Sequence, residues 1–140
     1  MKVLANDGIS QSGIDALEAK GFEVITTNVA QEQLISYINE NEVTVLLVRS
    51  ATTARKELVD SCPSLKIIGR GGVGMDNIDV AYAREKGLNV INTPASSSAS
   101  VAELVFAHLY GGVRFLHDSN RNMPLEGETN FKGLKKAYAK

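Results

Sequence analysis

The run Gly69-Arg70-Gly71-Gly72-Val73-Gly74 carries the densest chemical signal in the chain. Its four glycines let a backbone approach a ligand closely and aim amide N–H groups at it. A tight strand-to-helix turn would use the same residues, and spacing alone does not separate the two readings. The run also satisfies G-x-G-x-x-G, the dinucleotide fingerprint, but its context argues against that use. The fingerprint follows the first strand of its unit and opens a helix whose N-terminus holds pyrophosphate. This run follows the fourth apolar stretch and leads into Met75-Asp76-Asn77-Ile78-Asp79, with two acids beside any bound phosphate. A ribose-binding acid is due at the end of the next strand, about 20 residues on. That strand ends Asn92-Thr93-Pro94, without one.

Arg49-Ser50 closes the third apolar stretch and Arg70 the fourth. In an open α/β sheet ligands bind outside the carboxyl ends of the strands, so both arginines stand where a ligand would lie. A guanidinium grips a carboxylate or phosphate bidentately, and the Ser50 hydroxyl adds a further donor. Each arginine alone reads as an ordinary surface ion pair; beside the glycine loop the two point to an anion site. No metal-ligand spacing appears, and no serine, histidine and acid set is arguable. Cys62, the single cysteine, reads as a small buried side chain. His108 falls on an apolar stripe and reads as packed; His117 reads as exposed near a helix end, where a cation suits the dipole.

The elements that must hold these residues follow from hydrophobic periodicity. Val3–Ala5, Val24–Thr26, Val43–Val48, Leu65–Ile68 and Asn89–Asn92 are apolar, β-branched runs. Val43–Val48 barely alternates, as expected of a parallel strand covered on both faces. Helical spacing separates them: Ile14 and Leu17 before Gly21, Leu34 to Ile38, Leu58 to Cys62 before Pro63, and Val80 to Lys86 between Asp79 as N-cap and Gly87 as terminator. The order predicts a doubly wound α/β unit with five parallel strands in the order 2-1-3-4-5. Ser100-Val101-Ala102-Glu103 reads as a capping box opening one long amphipathic helix to Asp118, with apolar residues from Val101 to Leu116. Gly111-Gly112 inside it signals close packing or a local break. Asn120 to Asn130 reads as a loop, and the four lysines of residues 131–140 as a solvated face or linker.

The 140 residues amount to about one domain. A net charge of -1 gives no field to attract nucleic acid or an anionic membrane, so neither is an expected partner. No apolar run is long enough to span a bilayer. The N-terminus Met1–Asp7 lacks the pattern of a signal peptide, and a cytoplasmic protein is the expectation.

Val48-Arg49-Ser50-Ala51-Thr52, Ile68 through Asp79, Asn92-Thr93-Pro94 and Ser100-Val101-Ala102-Glu103-Leu104 stand in an order and spacing that resembles the D-2-hydroxyacid dehydrogenases, and among them the phosphoglycerate dehydrogenases. The likeness covers essentially the whole chain. It implies a flavodoxin-like substrate-binding lobe over residues 1–99, a helix over 100–120 crossing to an NAD-binding domain, and a linker over 121–140 toward that domain. It implies NAD-dependent oxidation of a phosphorylated 2-hydroxyacid, 3-phosphoglycerate foremost, on the route to serine. Arg49 and Ser50 would face the substrate's acidic groups, Arg70 would help hold the phosphate, and Gly71 and Gly72 would lie between substrate and nicotinamide. Val73 and Ser97 would approach the cofactor; the family often has a threonine at Val73, so that contact lacks its hydroxyl here. The catalytic arginine, glutamate and histidine are implied beyond Lys140, so no catalytic residue is assigned in this chain and it is expected to be inactive alone. NAD would be bound mainly by the other domain, and a homodimer or tetramer is implied for the whole enzyme. The rival reading is a stand-alone flavodoxin-like binding or interaction module. A receiver domain would need an acidic pocket after the first strand, where Asp7 stands alone.

Overall fold

The computed structural model describes residues 1–139, in two compact units that divide after Ser96. The first unit carries five parallel strands: β1 (Lys2–Ala5), β2 (Glu23–Ile25), β3 (Val45–Val48), β4 (Ile67–Arg70) and β5 (Asn89–Asn92). They lie in the order β2-β1-β3-β4-β5, as the alternation of apolar runs and helical spacing predicts. Four helices connect them: α1 (Gln11–Glu18), α2 (Leu34–Glu40), α3 (Lys56–Ser61) and α4 (Val80–Glu85).

The register places Leu4, Leu46, Ile68 and Val90 abreast across four strands. All four are buried, and they join Leu34 and Ile38 of α2, Leu58 and Val59 of α3, and Ala83 of α4 in one core. Burying such a side chain is worth roughly 1.5–3 kcal/mol. The next residues along, Ala5, Leu47, Gly69 and Ile91, face the opposite side of the sheet. There Leu47 is half-buried and Ile91 is 56% exposed. Gly21 and Gly87, expected to end α1 and α4, adopt φ of 82° and 88°, which a side chain would oppose.

Two caps differ from expectation. Asp79 does precede α4, but its side chain makes no capping bond there. A parallel bridge between Ala54 and Ile78 sets it beside α3 instead, where its carboxylate accepts from the Lys56 amide and from the Arg55 guanidinium. Ser100 and Glu103 form no capping box, because the helix begins two residues earlier, at Ser98.

The second unit corrects the single helix expected over Ser100–Asp118 and the loop expected over Asn120–Asn130. Helix α5 runs Ser98–Val113 and a second helix, α6, runs Leu116–Tyr138. The break falls just past Gly111-Gly112, where Phe115 takes a left-handed conformation with φ 54°. Open space surrounds both glycines, so no close approach requires them. Pro124 lies within α6, and non-helical dihedrals at Asn130 kink the span into two helical stretches. Val101, Leu104, Leu109 and Val113 are each more than half exposed, and His108, expected to be packed, is exposed beside them. His117 is exposed too, but in the first turn of α6, the end of a helix dipole that disfavours a cation.

Candidate anion-binding site

Aligned register makes β1, β3, β4 and β5 end side by side, with Val48, Arg70 and Asn92 level with one another. Above those ends lies a cleft of about 710 Å³. Ile9, Leu47, Gly69 and Ile91 give it an apolar floor; Asp7, Ser10, Arg49, Arg70, Gly71, Asn92 and Thr93 give it a polar rim. Glycine at 69 shapes the floor. A Cβ there would stand 2.7 Å from Leu47 Cδ2, so the bare backbone lets Leu47 close over it, while Ile91 Cγ1 at 3.6 Å would be in ordinary contact.

Arg70 folds back over the glycine loop. A Cβ on Gly72 would collide with Arg70 Nη1, so the guanidinium occupies the space that glycine leaves open. Arg70 Nε is buried and has no hydrogen-bond partner among the described residues. A buried donor without an acceptor costs about 1–3 kcal/mol, which an anionic ligand would relieve. Arg49 is exposed, and its stem runs beside Gly71, at ordinary contact distance from where a Cβ would be. The salt bridges of the described residues join Arg55 to Asp79 and Lys86 to Asp60. Neither Arg49 nor Arg70 takes part, so both cationic heads remain available to a ligand.

The backbone amides contribute less than the glycines suggest. Gly71 N–H donates to the Val48 carbonyl at 2.9 Å and Gly72 N–H to the Arg70 carbonyl at 3.0 Å. Two of the loop's amides are therefore already engaged. The loop opens no helix either: α4 begins only at Val80. The glycine loop thus lacks the helix N-terminus that a dinucleotide fingerprint uses to hold pyrophosphate.

The structure gathers Arg49, Arg70 and Gly71 on the cleft. Ser50 is exposed and Gly72 half-buried, one beside each arginine, but neither lines it. Val73 is 50% exposed, and its carbonyl accepts from Asn92 Nδ2 at 2.7 Å. Ser97 belongs to the second unit, as the residue before α5. Cys62 is buried under the sheet, and burial pushes its thiol up to about 11, which leaves no nucleophile there.

Sequence reasoning missed the residues that brace the rim. Asp7, just past β1, accepts from the Arg49 amide at 2.6 Å, the Thr52 amide at 3.1 Å and the Thr52 hydroxyl at 2.5 Å. Burial pushes the Asp7 carboxyl up, but these bonds, with one from the Ala51 amide, outweigh it and hold the group below its ordinary value. The Thr52 hydroxyl also accepts from Asn6 Nδ2, and Asn6 in turn holds Val29 by both backbone groups. From below, Asn77 Nδ2 donates to the carbonyls of Arg49 and Thr52. Asn6, Thr52 and Asn77 are all buried.

Comparison with known proteins agrees with this fold. The family model for the D-isomer specific 2-hydroxyacid dehydrogenase catalytic domain matches residues 3–132. A D-3-phosphoglycerate dehydrogenase of Methanocaldococcus jannaschii is 36% identical over 137 residues, which is 96% of this chain and 26% of that protein. A hydroxypyruvate reductase of Thermotoga maritima is 37% identical over 135 residues, 96% of this chain and 43% of its own length. The NAD+-bound 3-phosphoglycerate dehydrogenase structure of Entamoeba histolytica superposes with a TM-score of 0.65 at 28% identity, covering 81% of this chain and 39% of that one. The chain thus spans from about a fifth to less than half of the length of the relatives it matches.

Proposed function

The chain belongs to the D-isomer specific 2-hydroxyacid dehydrogenase family, and we propose that its cleft is the anion-gripping side of a substrate site for a phosphorylated D-2-hydroxyacid. The relatives alone do not choose the substrate. One named for phosphoglycerate and one named for hydroxypyruvate match at 36% and 37% identity. The observation that carries the choice is the pair Arg49 and Arg70 on one cleft, neither paired with a carboxylate among the described residues. Two free guanidinium groups suit a ligand with two acidic ends, a carboxylate and a phosphate, and 3-phosphoglycerate has both. Ser50 and Gly72 flank those arginines in this reading.

The activity proposed for the whole protein is oxidation of the C2 hydroxyl of that acid with NAD as acceptor. The glycine loop opens no helix, so the part proposed for this chain is binding and orientation; Val73 and Ser97 are its candidates for facing a cofactor. The chain alone is proposed to be inactive.

Nuclear magnetic resonance titration of the ¹⁵N-labelled chain tests this reading. D-3-Phosphoglycerate should shift the amides of residues 7–10, 49–52, 69–72 and 92–93 and bind more tightly than D-glycerate. Arg49→Met should weaken binding about tenfold or more, as expected for one lost charge-assisted contact. Equal response to both acids, or shifts confined elsewhere, would refute it.

A further inference from the structure

A carboxylate on the rim of an anion site is out of place by charge alone, because it repels the ligand that the arginines attract. Asp7 is nonetheless one of the lining residues. Its oxygens are directed away from that conflict: they accept from two amides and a hydroxyl of the turn that follows β3. It touches Arg49 through the backbone N–H, and no ion pair joins the two side chains among the described residues.

The turn is held from two sides. Asp7 takes its amide hydrogens, and Asn77 donates to its carbonyls at Arg49 and Thr52. The Thr52 hydroxyl links the upper clamp to Asn6, whose side chain is fastened to Val29. Both peptide groups flanking Arg49 are thereby fixed, which leaves only its side-chain torsions to be ordered when a ligand arrives. Preorganisation of this kind raises affinity by removing an ordering cost and adds no new contact.

We infer that Asp7 is a positioning residue for the substrate site, acting through the Arg49 amide and the Thr52 amide and hydroxyl to hold the Arg49 guanidinium on the cleft. The inference rests on the reading of the cleft as an anion site and assigns a part in it to a residue whose carboxylate is engaged by the turn.

The test compares Asp7→Asn, Thr52→Val and Thr52→Ser in the 140-residue chain, with Arg49→Met as reference. Two quantities are read: amide hydrogen exchange residue by residue, and the dissociation constants for inorganic phosphate and D-3-phosphoglycerate. Asp7→Asn keeps the shape but turns one acceptor into a donor; Thr52→Val keeps the shape and removes the hydroxyl. Both should speed exchange at Arg49 and Thr52, leave β1 and β3 protected, and weaken both ligands about tenfold, the scale of one preorganising contact. Thr52→Ser restores the hydroxyl and should recover affinity to within about twofold of the parent. Weakening by Arg49→Met with none by Asp7→Asn would overturn the positioning role and leave the site standing. An Arg49→Met variant that binds like the parent, or a parent that binds neither ligand saturably, would overturn the site reading and the role with it. Loss of protection throughout β1 and β3 in both Asp7→Asn and Thr52→Val, without rescue by Thr52→Ser, would make Asp7 a general stabiliser and would also overturn it.

Discussion

Replacing Gly69 by alanine tests whether the cleft floor is built as described. The new Cβ would lie 2.7 Å from Leu47 Cδ2, while Ile91 Cγ1 at 3.6 Å stays in ordinary contact. Carbon atoms rest at about 3.5–4.0 Å, so Leu47 must give way by roughly an ångström. Overpacking of this size costs about 1–3 kcal/mol. Against it stands a gain of about 0.5–1 kcal/mol from replacing glycine inside a strand. The net expectation is a loss between about zero and about 2.5 kcal/mol. Leu47 is half-buried and faces the cleft, so its escape is into the cleft, and phosphate binding should weaken in parallel. Leu47→Ala removes the colliding methyl. The pair Gly69→Ala with Leu47→Ala should therefore be more stable than the two single losses predict, by at least about 1 kcal/mol. Urea unfolding followed through the amide signals of β3 and β4 measures each corner of this cycle. Additive losses, or a Gly69→Ala chain more stable than its parent, would refute the packing argument.

Two further outcomes follow from backbone and charge. Gly87→Ala should lose about 1 kcal/mol or more, because φ at 88° opposes a side chain, whereas Gly111→Ala, with open space around it in α5, should gain up to about 1 kcal/mol; thermal unfolding of the two variants should shift in opposite directions. On acidification the chain should lose stability. Asp7 is held low by its turn although burial opposes this, Asp60 by the Tyr82 hydroxyl and Lys86, and Asp79 by the Lys56 amide and Arg55. A carboxyl with a depressed folded value stabilises above its unfolded value near 3.9 and loses that contribution as pH falls through the folded one. Urea midpoints between pH 6 and 2.5 should thus fall below about pH 4, and less steeply in Asp7→Asn. A midpoint that holds or rises over that range would contradict the assigned bonds.

The sheet was legible because its signals are local. Val43–Val48 advertises a strand covered on both sides by its composition, and the alternation of apolar runs with helical spacing marks a doubly wound sheet. The boundaries moved where turns compete for the same residues. Val43 donates to the Ile38 carbonyl and Leu65 to the Cys62 carbonyl, so each closes the preceding helix before its strand begins. The second unit was read less well. The pattern Val101 to Leu116 records what a helix is able to bury, and it said packed for His108, which is exposed. Gly111-Gly112 left two readings open, and only the left-handed Phe115 decides between them.

The site divides along the same line. Arg49, Arg70 and Gly71 could be found because each stands at or next to a strand end, and strand ends are visible in one pass along the chain. Asp7 could not, because the partners Arg49 and Thr52 lie 42 and 45 residues away and its bonds to backbone amides leave no trace in residue type. Asn77 likewise reaches carbonyls 28 and 25 residues back. Weighing Asp7 only as a lone acid after the first strand hid it. The strand order supplies the missing step. In a 2-1-3-4-5 sheet the first and third strands are neighbours, so an acid one or two residues past β1 can reach the turn that leaves β3. Such a turn has amides to satisfy and, at Arg49, a cation to aim. The same reasoning places Asn77 after β4, next to β3 on its other side, where it can reach that turn's carbonyls. Topology, once predicted, therefore names the segments able to brace a strand-end arginine, and Asp7 and Asn77 are residues of those segments that do so.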